Sequence, residues 1–354
     1  MTRITDTSAV QPKIKVQLFY SYAMYHKLLV MAALLVAGCK DPDVVNGGEA
    51  SNWGEQPTLP VVSGVATFSL NANEDYVSVM GTTTPRMPNF PALATKTGIV
   101  RGYVADLSGK PLQGAYIGIR STATGGYYSG ASAETDAKGY YEISIPWGAA
   151  EFYAAGYTID YGEGRAVLSL SSADGKLGSF PSAAGLVKNF VLLSYGVYSK
   201  DILSQKPRDQ TNYAGGTLYI TYNVSDPSSV FNPPTYIPEN AEIQVTLTPD
   251  GPGLYGETRT FVIQKRASLL NYGFQIMNIP VGRYTISTKL RNGPSLQMEA
   301  VGRYANLYPY FGLIPATASG TAKLLFTPDS RSGNETIPNR SNWGSLQIKV
   351  ELPN

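Results

Sequence analysis

Short runs of alternating hydrophobic and polar residues dominate the chain from residue 98 onward, separated by glycine, proline and aspartate. Alternation with a period of two gives a β-strand one buried and one exposed face, so each run predicts a strand. No stretch after residue 39 has the spacing of an amphipathic helix of three or more turns. The pattern therefore predicts an all-β chain. The predicted strands cover residues 99–104, 114–119, 140–145, 151–154, 186–193, 218–224, 241–247, 259–264, 274–279, 284–290 and 346–352.

Two further strand candidates, residues 65–70 and 76–79, lie upstream of this region. Three prolines between residues 82 and 92 interrupt the pattern after them, which is typical of irregular structure. Residues 61–96 are therefore interpreted as a short β segment followed by a proline-rich linker. The pattern leaves open whether this segment forms a small domain or donates strands to a later one.

The longest apolar run is residues 28–38, with Lys27 on its N-terminal side. About 11 residues are too few for a membrane-spanning helix, which needs about 20, but they fit the hydrophobic region of a secretory signal. Val36, Ala37, Gly38 and Cys39 follow in order, and this tetrad resembles the lipobox of bacterial lipoproteins. The resemblance implies acylation of Cys39 and cleavage after Gly38. The alternative is a plain secretory signal followed by a free cysteine.

Two features around this signal concern the start of translation and the destination of the protein. Residues 1–38 are interpreted as the signal peptide, and translation from Met24 would give it a short basic leader; a long cytoplasmic leader is the alternative. Lys40, Asp41 and Asp43 follow the cysteine and are similar to the signal that sends some lipoproteins to the outer face of the outer membrane. Residues 39–60 are predicted to be a flexible tether. The expected location is the outer membrane, lipid-anchored and facing the exterior.

Charge and composition exclude several functions for the processed chain. Four of the 28 basic residues and one of the 26 acidic residues lie in residues 1–38, which leaves 24 basic and 25 acidic residues and no basic patch. We therefore expect no nucleic-acid partner. The single histidine, His26, and the single cysteine lie at or before residue 39, so histidine- or thiol-based catalysis and His- or Cys-ligated metal sites are excluded. We expect no cofactor and no enzymatic activity.

Residues 98–158 carry a set of turn and strand residues in a fixed order. They are Gly102, Asp106, Gly109, Lys110, Pro111, Leu112, Gly114, Ala115, Thr135, Asp136, Gly139, Tyr140, Pro146, Gly148, Gly156 and Tyr157. This set resembles the carboxypeptidase regulatory-like domain. That family is a transthyretin-like β-sandwich without catalytic residues of its own, so the resemblance implies a structural or binding module over residues 97–196.

A second sandwich is predicted over residues 217–354, after a linker at 197–216, since the Ile-Pro-x-Gly ending of the strand at 140–145 recurs at 279–282.

Aromatic residues in glycine- and proline-rich segments are the candidate ligand contacts. Tyr127 and Tyr128 lie between glycines, and Tyr308, Tyr310 and Phe311 lie beside Pro309 and Gly312. Such rings can stack on sugars or anchor a protein partner, although tyrosine is also an ordinary strand residue whose ring packs on the sheet.

With histidine and cysteine excluded, carboxylates are the side chains that remain as candidates for catalysis. Glu134, Asp136 and Glu142 are close in sequence, but Asp136 has a turn role, and the two glutamates are expected on outward strand positions. No acidic loop has the spacing of a calcium site.

The sequence thus predicts a non-catalytic binding or accessory protein at the cell surface, held by a lipid anchor, with a glycan or another surface protein as partner. The alternative is a fimbrial or adhesin subunit that polymerises by strand donation, with residues 346–352 as the donor. A glycoside hydrolase that uses only carboxylates is a third candidate.

Overall fold

The computed structural model describes residues 52–82, 84–122, 126–198, 208–303, 305, 310–329 and 335–354. Nearly all regular structure in these residues is β-strand, and Ala50–Asn354 forms one compact unit. The prediction of an all-β fold with tandem sandwiches is confirmed. Two short 3₁₀ helices, Ser182–Ala184 and Gln210–Asn212, lie between strands. Within the described ranges, no helix is long and apolar enough to cross a membrane.

Two strands precede the first sandwich, and nine strands build it. They are β1 (Val65–Leu70), β2 (Tyr76–Ser78), β3 (Ile99–Ala105), β4 (Tyr116–Thr122), β5 (Tyr128–Glu134), β6 (Tyr140–Ser144), β7 (Ala149–Tyr161), β8 (Gly164–Ser172), β9 (Phe180–Pro181), β10 (Leu186–Val187) and β11 (Phe190–Leu192). The strands follow the order β10-β3-β11-β8-β7-β4-β5, with β6 paired to β3 and β9 paired to β7. Strand β5 therefore ends this order, and β4 is its one neighbour among the described strands.

The strand predicted at residues 186–193 is two shorter strands, β10 and β11. At the break, the side-chain oxygen of Asn189 accepts a 2.8 Å hydrogen bond from the backbone N–H of Tyr103. The backbone N–H of Lys188 donates to the carbonyl of Arg101. The side-chain oxygen of Asn189 thus accepts a hydrogen bond from β3 that a backbone carbonyl would otherwise accept. The backbone pairing is interrupted there, which divides the predicted strand into β10 and β11.

Twelve strands follow, and most of them belong to the second sandwich. They are β12 (Gly216–Thr221), β13 (Val224–Ser225), β14 (Ile237–Pro238), β15 (Glu242–Pro249), β16 (Thr260–Arg266), β17 (Gly273–Ile279), β18 (Tyr284–Leu290), β19 (Gln297–Val301), β20 (Gly312–Ile314), β21 (Thr317–Ser319), β22 (Thr321–Leu325) and β23 (Leu346–Glu351). One sheet has the order β1-β16-β15-β18-β22-β20, and the other has β2-β17-β12-β23-β19-β21. Strands β13 and β14 form a separate two-stranded pair.

The early segment donates its strands to the second sandwich. Strand β1 pairs with β16 and β2 pairs with β17, both in parallel, so each lies at the edge of one of the two sheets. The ammonium of Lys265, on β16, fixes the connection between β1 and β2. It is fully buried and donates to the backbone carbonyls of Asn71, Ala72 and Glu74 at 2.6, 2.9 and 2.7 Å. A buried cation needs such partners, so this contact is strongly specified.

The two sandwiches share an aromatic core where β7 ends. The hydroxyl of Tyr161 donates to the carbonyl of Gly282 at 2.9 Å and accepts from the backbone N–H of Phe326 at 3.0 Å. The indole of Trp343 packs on Tyr161 and on Phe326, and Phe311 stacks on Tyr161. Residues of both sandwiches thus satisfy each other's buried polar groups, which joins them into one unit.

Candidate binding site

The outer face of the first sandwich carries a row of side chains across four strands. Tyr128 on β5 lies opposite Thr122 on β4, Thr122 lies opposite Ala149 on β7, and Ala149 lies opposite Pro181 on β9. Positions directly opposite on neighbouring strands bring their side chains together on one face. Small side chains beside Tyr128 leave the face open at this end of the sheet.

An ion pair forms the next row. The Nε of Arg120 donates to Oε1 of Glu151 at 2.7 Å, and the guanidinium carbon lies 4.6 Å from the centre of the Tyr128 ring. Both charged side chains remain more than a third exposed, so the pair contributes little to stability. The guanidinium orients the Tyr128 ring, and both charged groups keep hydrogen-bonding capacity for a ligand.

A β-bulge adds another aromatic ring, that of Tyr153, to this face. Gly118 pairs with Ala154 and Ile119 pairs with Phe152, which leaves Tyr153 as the extra residue on β7. The ring of Tyr153 covers Gly118 so closely that a Cβ there would lie 2.5 Å from Cζ of the tyrosine. A bulge re-aims a side chain in this way, and the glycine provides the space.

The hydroxyls of Tyr153 and Tyr116 are hydrogen-bonded at 2.7 Å. This hydrogen bond, together with burial, raises the pKa of Tyr153 to about 12. The phenol of Tyr153 therefore stays neutral near pH 7, and the hydroxyl pair lies on the same face as the exposed rings.

An open groove of about 560 Å³ lies at the end of the same face. Trp147 lines it and is 74% exposed. Tyr128, which is 59% exposed, lies opposite the lining residue Thr122 on the neighbouring strand, and Tyr127, 85% exposed, precedes it in the chain. The groove and the two rows form one continuous surface, which we call the aromatic face. The groove is lined by Thr122, Trp147, Gly148, Ala149, Ser179, Phe180, Pro181, Ser182 and Ala183.

The structure separates the two predicted aromatic segments. Tyr127 and Tyr128 lie near the start of β7, whereas Tyr310 lines a pocket with Gly162, just beyond the end of β7. The thirteen residues of β7 span about 40 Å, so the segments do not form one site. Tyr310 is exposed and remains a separate candidate.

The prediction of Phe311 as a ligand contact is corrected, because its ring is 5% exposed and stacks on Tyr161 at 5.9 Å. A ring buried against another ring has no face left for a ligand.

The remaining predicted site residues lie outside the described part of the chain. They are Tyr308, the lipobox residues Val36, Ala37 and Gly38, the acylation site Cys39, and Lys40, Asp41 and Asp43 of the export signal. Their roles stay predictions.

Two of the three acidic residues near β5 and β6 have structural partners, and the third, Glu134, lies on the exposed face of β5. Asp136 accepts hydrogen bonds from the backbone N–H groups of Lys138 and Tyr140, as expected for its turn role. Glu142 binds Lys96 and Tyr140, and the hydrogen bond from Lys96 is the main cause of its lowered pKa. Among the described residues, no group of three or more histidine, cysteine or acidic side chains is arranged to hold a metal ion.

Comparison with known proteins gives no family model and no curated protein that matches the chain. The carboxypeptidase regulatory-like assignment therefore stays a prediction. Three solved structures give weak matches. The Bacillus anthracis TIE protein is 12% identical, with a TM-score of 0.25, over 72% of this chain and 34% of its own. A bacterial adhesin from Mobiluncus mulieris is 11% identical, with a TM-score of 0.23, over 73% and 100%.

A streptococcal ancillary pilin is 12% identical, with a TM-score of 0.20, over 73% of this chain and 63% of its own. The chain spans about a third of the length of the Bacillus anthracis protein. At these identities and TM-scores, the matches carry no argument about function.

Proposed function

We propose that the chain is a lipid-anchored, non-catalytic protein of the cell surface that binds glycans through the aromatic face. One observation carries the proposal: the exposed Trp147 lines an open groove, and the exposed ring of Tyr128 lies opposite the groove residue Thr122 on the next strand. The Arg120–Glu151 ion pair lies beside this ring. A sugar ring has an apolar face that stacks on an aromatic ring and hydroxyl groups that hydrogen-bond to charged side chains. The aromatic face offers both kinds of contact side by side.

The shape of the groove supports an extended ligand. It lies open on the sheet surface between Thr122 and Pro181 instead of closing around a small molecule. Enclosed pockets bury most of a small ligand, whereas an open groove suits a chain that continues beyond it at both ends. A polysaccharide has this geometry.

Replacing Tyr128 or Trp147 with Ala is expected to weaken glycan binding about fivefold, because each ring supplies a stacking surface worth about 1 kcal/mol. Binding to a panel of immobilised polysaccharides, followed by titration of the best ligand, measures the effect. Tyr272→Ala is the matched control, since Tyr272 is 57% exposed against 59% for Tyr128 but lies next to β17 in the second sandwich. Its binding should equal that of the parent.

Two results would overturn the glycan proposal. One is a parent protein that binds no member of the panel. The other is an equal loss of affinity in Tyr128→Ala and Tyr272→Ala, which would show that the aromatic face has no special part. Melting temperatures of all variants should stay close to that of the parent, because the substituted rings are exposed.

The anchoring part of the proposal rests on the tetrad that ends in Cys39. Cys39→Ser is expected to abolish lipid attachment and leave an uncleaved or soluble protein, whereas the parent partitions with membranes. Metabolic labelling with a fatty acid and membrane fractionation measure this. A Cys39→Ser protein that is processed and membrane-bound like the parent would contradict lipid anchoring without affecting the glycan proposal.

The fimbrial alternative receives no support from the predicted donor strand. Strand β23 pairs with β12 on one side and with β19 on the other, and its residues Leu346, Ile348 and Val350 are fully buried. A strand in the middle of its own sheet is not available to a neighbouring subunit. Polymers that persist in mild detergent would favour the alternative again.

A further inference from the structure

Among the strands that the structure describes, β5 is an unprotected sheet edge. It pairs with β4 through seven consecutive residues without a register shift, and it has seven residues where the other edge strands of the described chain have six or fewer. From Tyr128 to Ala133 it contains no charged residue and no proline. Exposed edges are usually protected by charges, prolines or bulges against pairing with another strand. The stretch from Tyr128 to Ala133 lacks all three and is therefore suited to such pairing.

We propose that β5 pairs with β5 of a second copy of this chain, antiparallel and around a two-fold axis at Ala131. In an antiparallel ladder, two opposite residues either both direct their backbone N–H and C=O groups toward the partner strand or both direct them away from it. Even-numbered residues of β5 must therefore lie opposite even-numbered residues of the second copy. A centre at Ala131 satisfies this rule, since Gly130 then lies opposite Ser132 and Tyr128 lies opposite Glu134. The pairing is isologous, as in most homodimers.

Charge complementarity favours a second copy as the partner and this register as the arrangement. Glu134 is the one charged residue of β5, and it lies on the exposed outer face. In the proposed dimer it lies opposite Tyr128 of the second copy, whose ring contacts Arg120 of that copy. Each Glu134 carboxylate would therefore approach the Tyr128 ring and the Arg120 guanidinium that contacts this ring, and symmetry repeats the arrangement. The small side chains of Gly130 and Ser132 between these contacts let the strands approach.

The dimer would join the outer faces of two sandwiches into one sheet surface. Tyr128 and its counterpart would lie six residues apart along the paired strands, about 20 Å. If the aromatic face binds glycans as proposed, one polysaccharide chain could contact both copies, and the second contact would raise the apparent affinity. The strand pairing itself does not depend on that function.

Cysteine cross-linking tests both the dimer and its register. In the full chain carrying Cys39→Ser, Ala131→Cys places two thiols on the two-fold axis, opposite each other. Ala133→Cys is the matched control, because both alanines are partly buried on the same face of β5. The control thiols would lie about 14 Å apart along the strands, too far for a disulfide. Mild oxidation should give a covalent dimer of Ala131→Cys and none of Ala133→Cys.

Sedimentation of the Cys39→Ser chain measures the dimer without cross-linking. We expect a monomer–dimer equilibrium that Ser132→Lys shifts toward monomer, since the new ammonium would approach Arg120 of the second copy. Ser132→Glu should leave the dimer at least as stable, which separates charge from loss of folding. A parent that stays monomeric at its highest soluble concentration would overturn the proposal. Equal cross-linking of both cysteine variants would overturn it as well.

Discussion

Replacing Lys265 with Met is expected to lower the free energy of unfolding by about 3 kcal/mol or more. The ammonium is fully buried and donates to three backbone carbonyls between β1 and β2. Methionine has a similar volume but no donor, so the three carbonyls would lose their partner, and each unsatisfied buried acceptor costs about 1–3 kcal/mol. Water that enters the site would recover part of this loss. Urea unfolding followed by circular dichroism measures the change.

Lys323→Met is the matched control for this prediction. Lys323 also lies on a strand of the second sandwich, but its side chain is 55% exposed and pairs with Asp250 at 2.7 Å on the surface. An exposed ion pair contributes about 0–1 kcal/mol, so this variant should unfold close to the parent. Limited proteolysis adds a second measurement, since loss of the Lys265 contacts should expose the connection between β1 and β2. Equal stability of the two variants would show that Lys265 does not hold this segment.

The alternation of hydrophobic and polar residues was sufficient to predict most strands, because each of these strands has one buried and one exposed face. Strand β18 matches its predicted residues, β17 begins one residue earlier than predicted, and β16 begins one residue later and ends two residues later than predicted. The division between β10 and β11 could not be predicted, since it depends on Asn189 meeting a backbone group of β3. The edge positions of β1 and β2 depend on pairing with strands nearly 200 residues later, which alternation does not encode.

The candidate site could also be predicted only in part, because some of its positions depend on the pairing of strands. Glycines around Tyr127 and Tyr128 indicated exposed rings, and the structure exposes both. Arg120 could have been placed on the outer face from the alternation within β4. Tyr153 could not, because its position depends on a bulge that exists only in the pairing of β7 with β4. Trp147 follows a proline at the end of a strand, where sequence alone does not distinguish an exposed ring from a buried one.

The neighbours Tyr310 and Phe311 separate exposed from buried aromatic residues in a single experiment. Phe311→Ala is expected to lower the free energy of unfolding by about 3–5 kcal/mol, because it opens a cavity beside Tyr161 where the two sandwiches meet. Tyr310→Ala removes a ring that is 53% exposed and should change stability by about 0.5 kcal/mol or less. Thermal and urea unfolding of both variants measure the difference.

Since Phe311 packs where the sandwiches join, its loss should also broaden the unfolding transition or split it in two, as the sandwiches begin to unfold separately. A Phe311→Ala protein as stable as Tyr310→Ala would return Phe311 to the candidate ligand contacts.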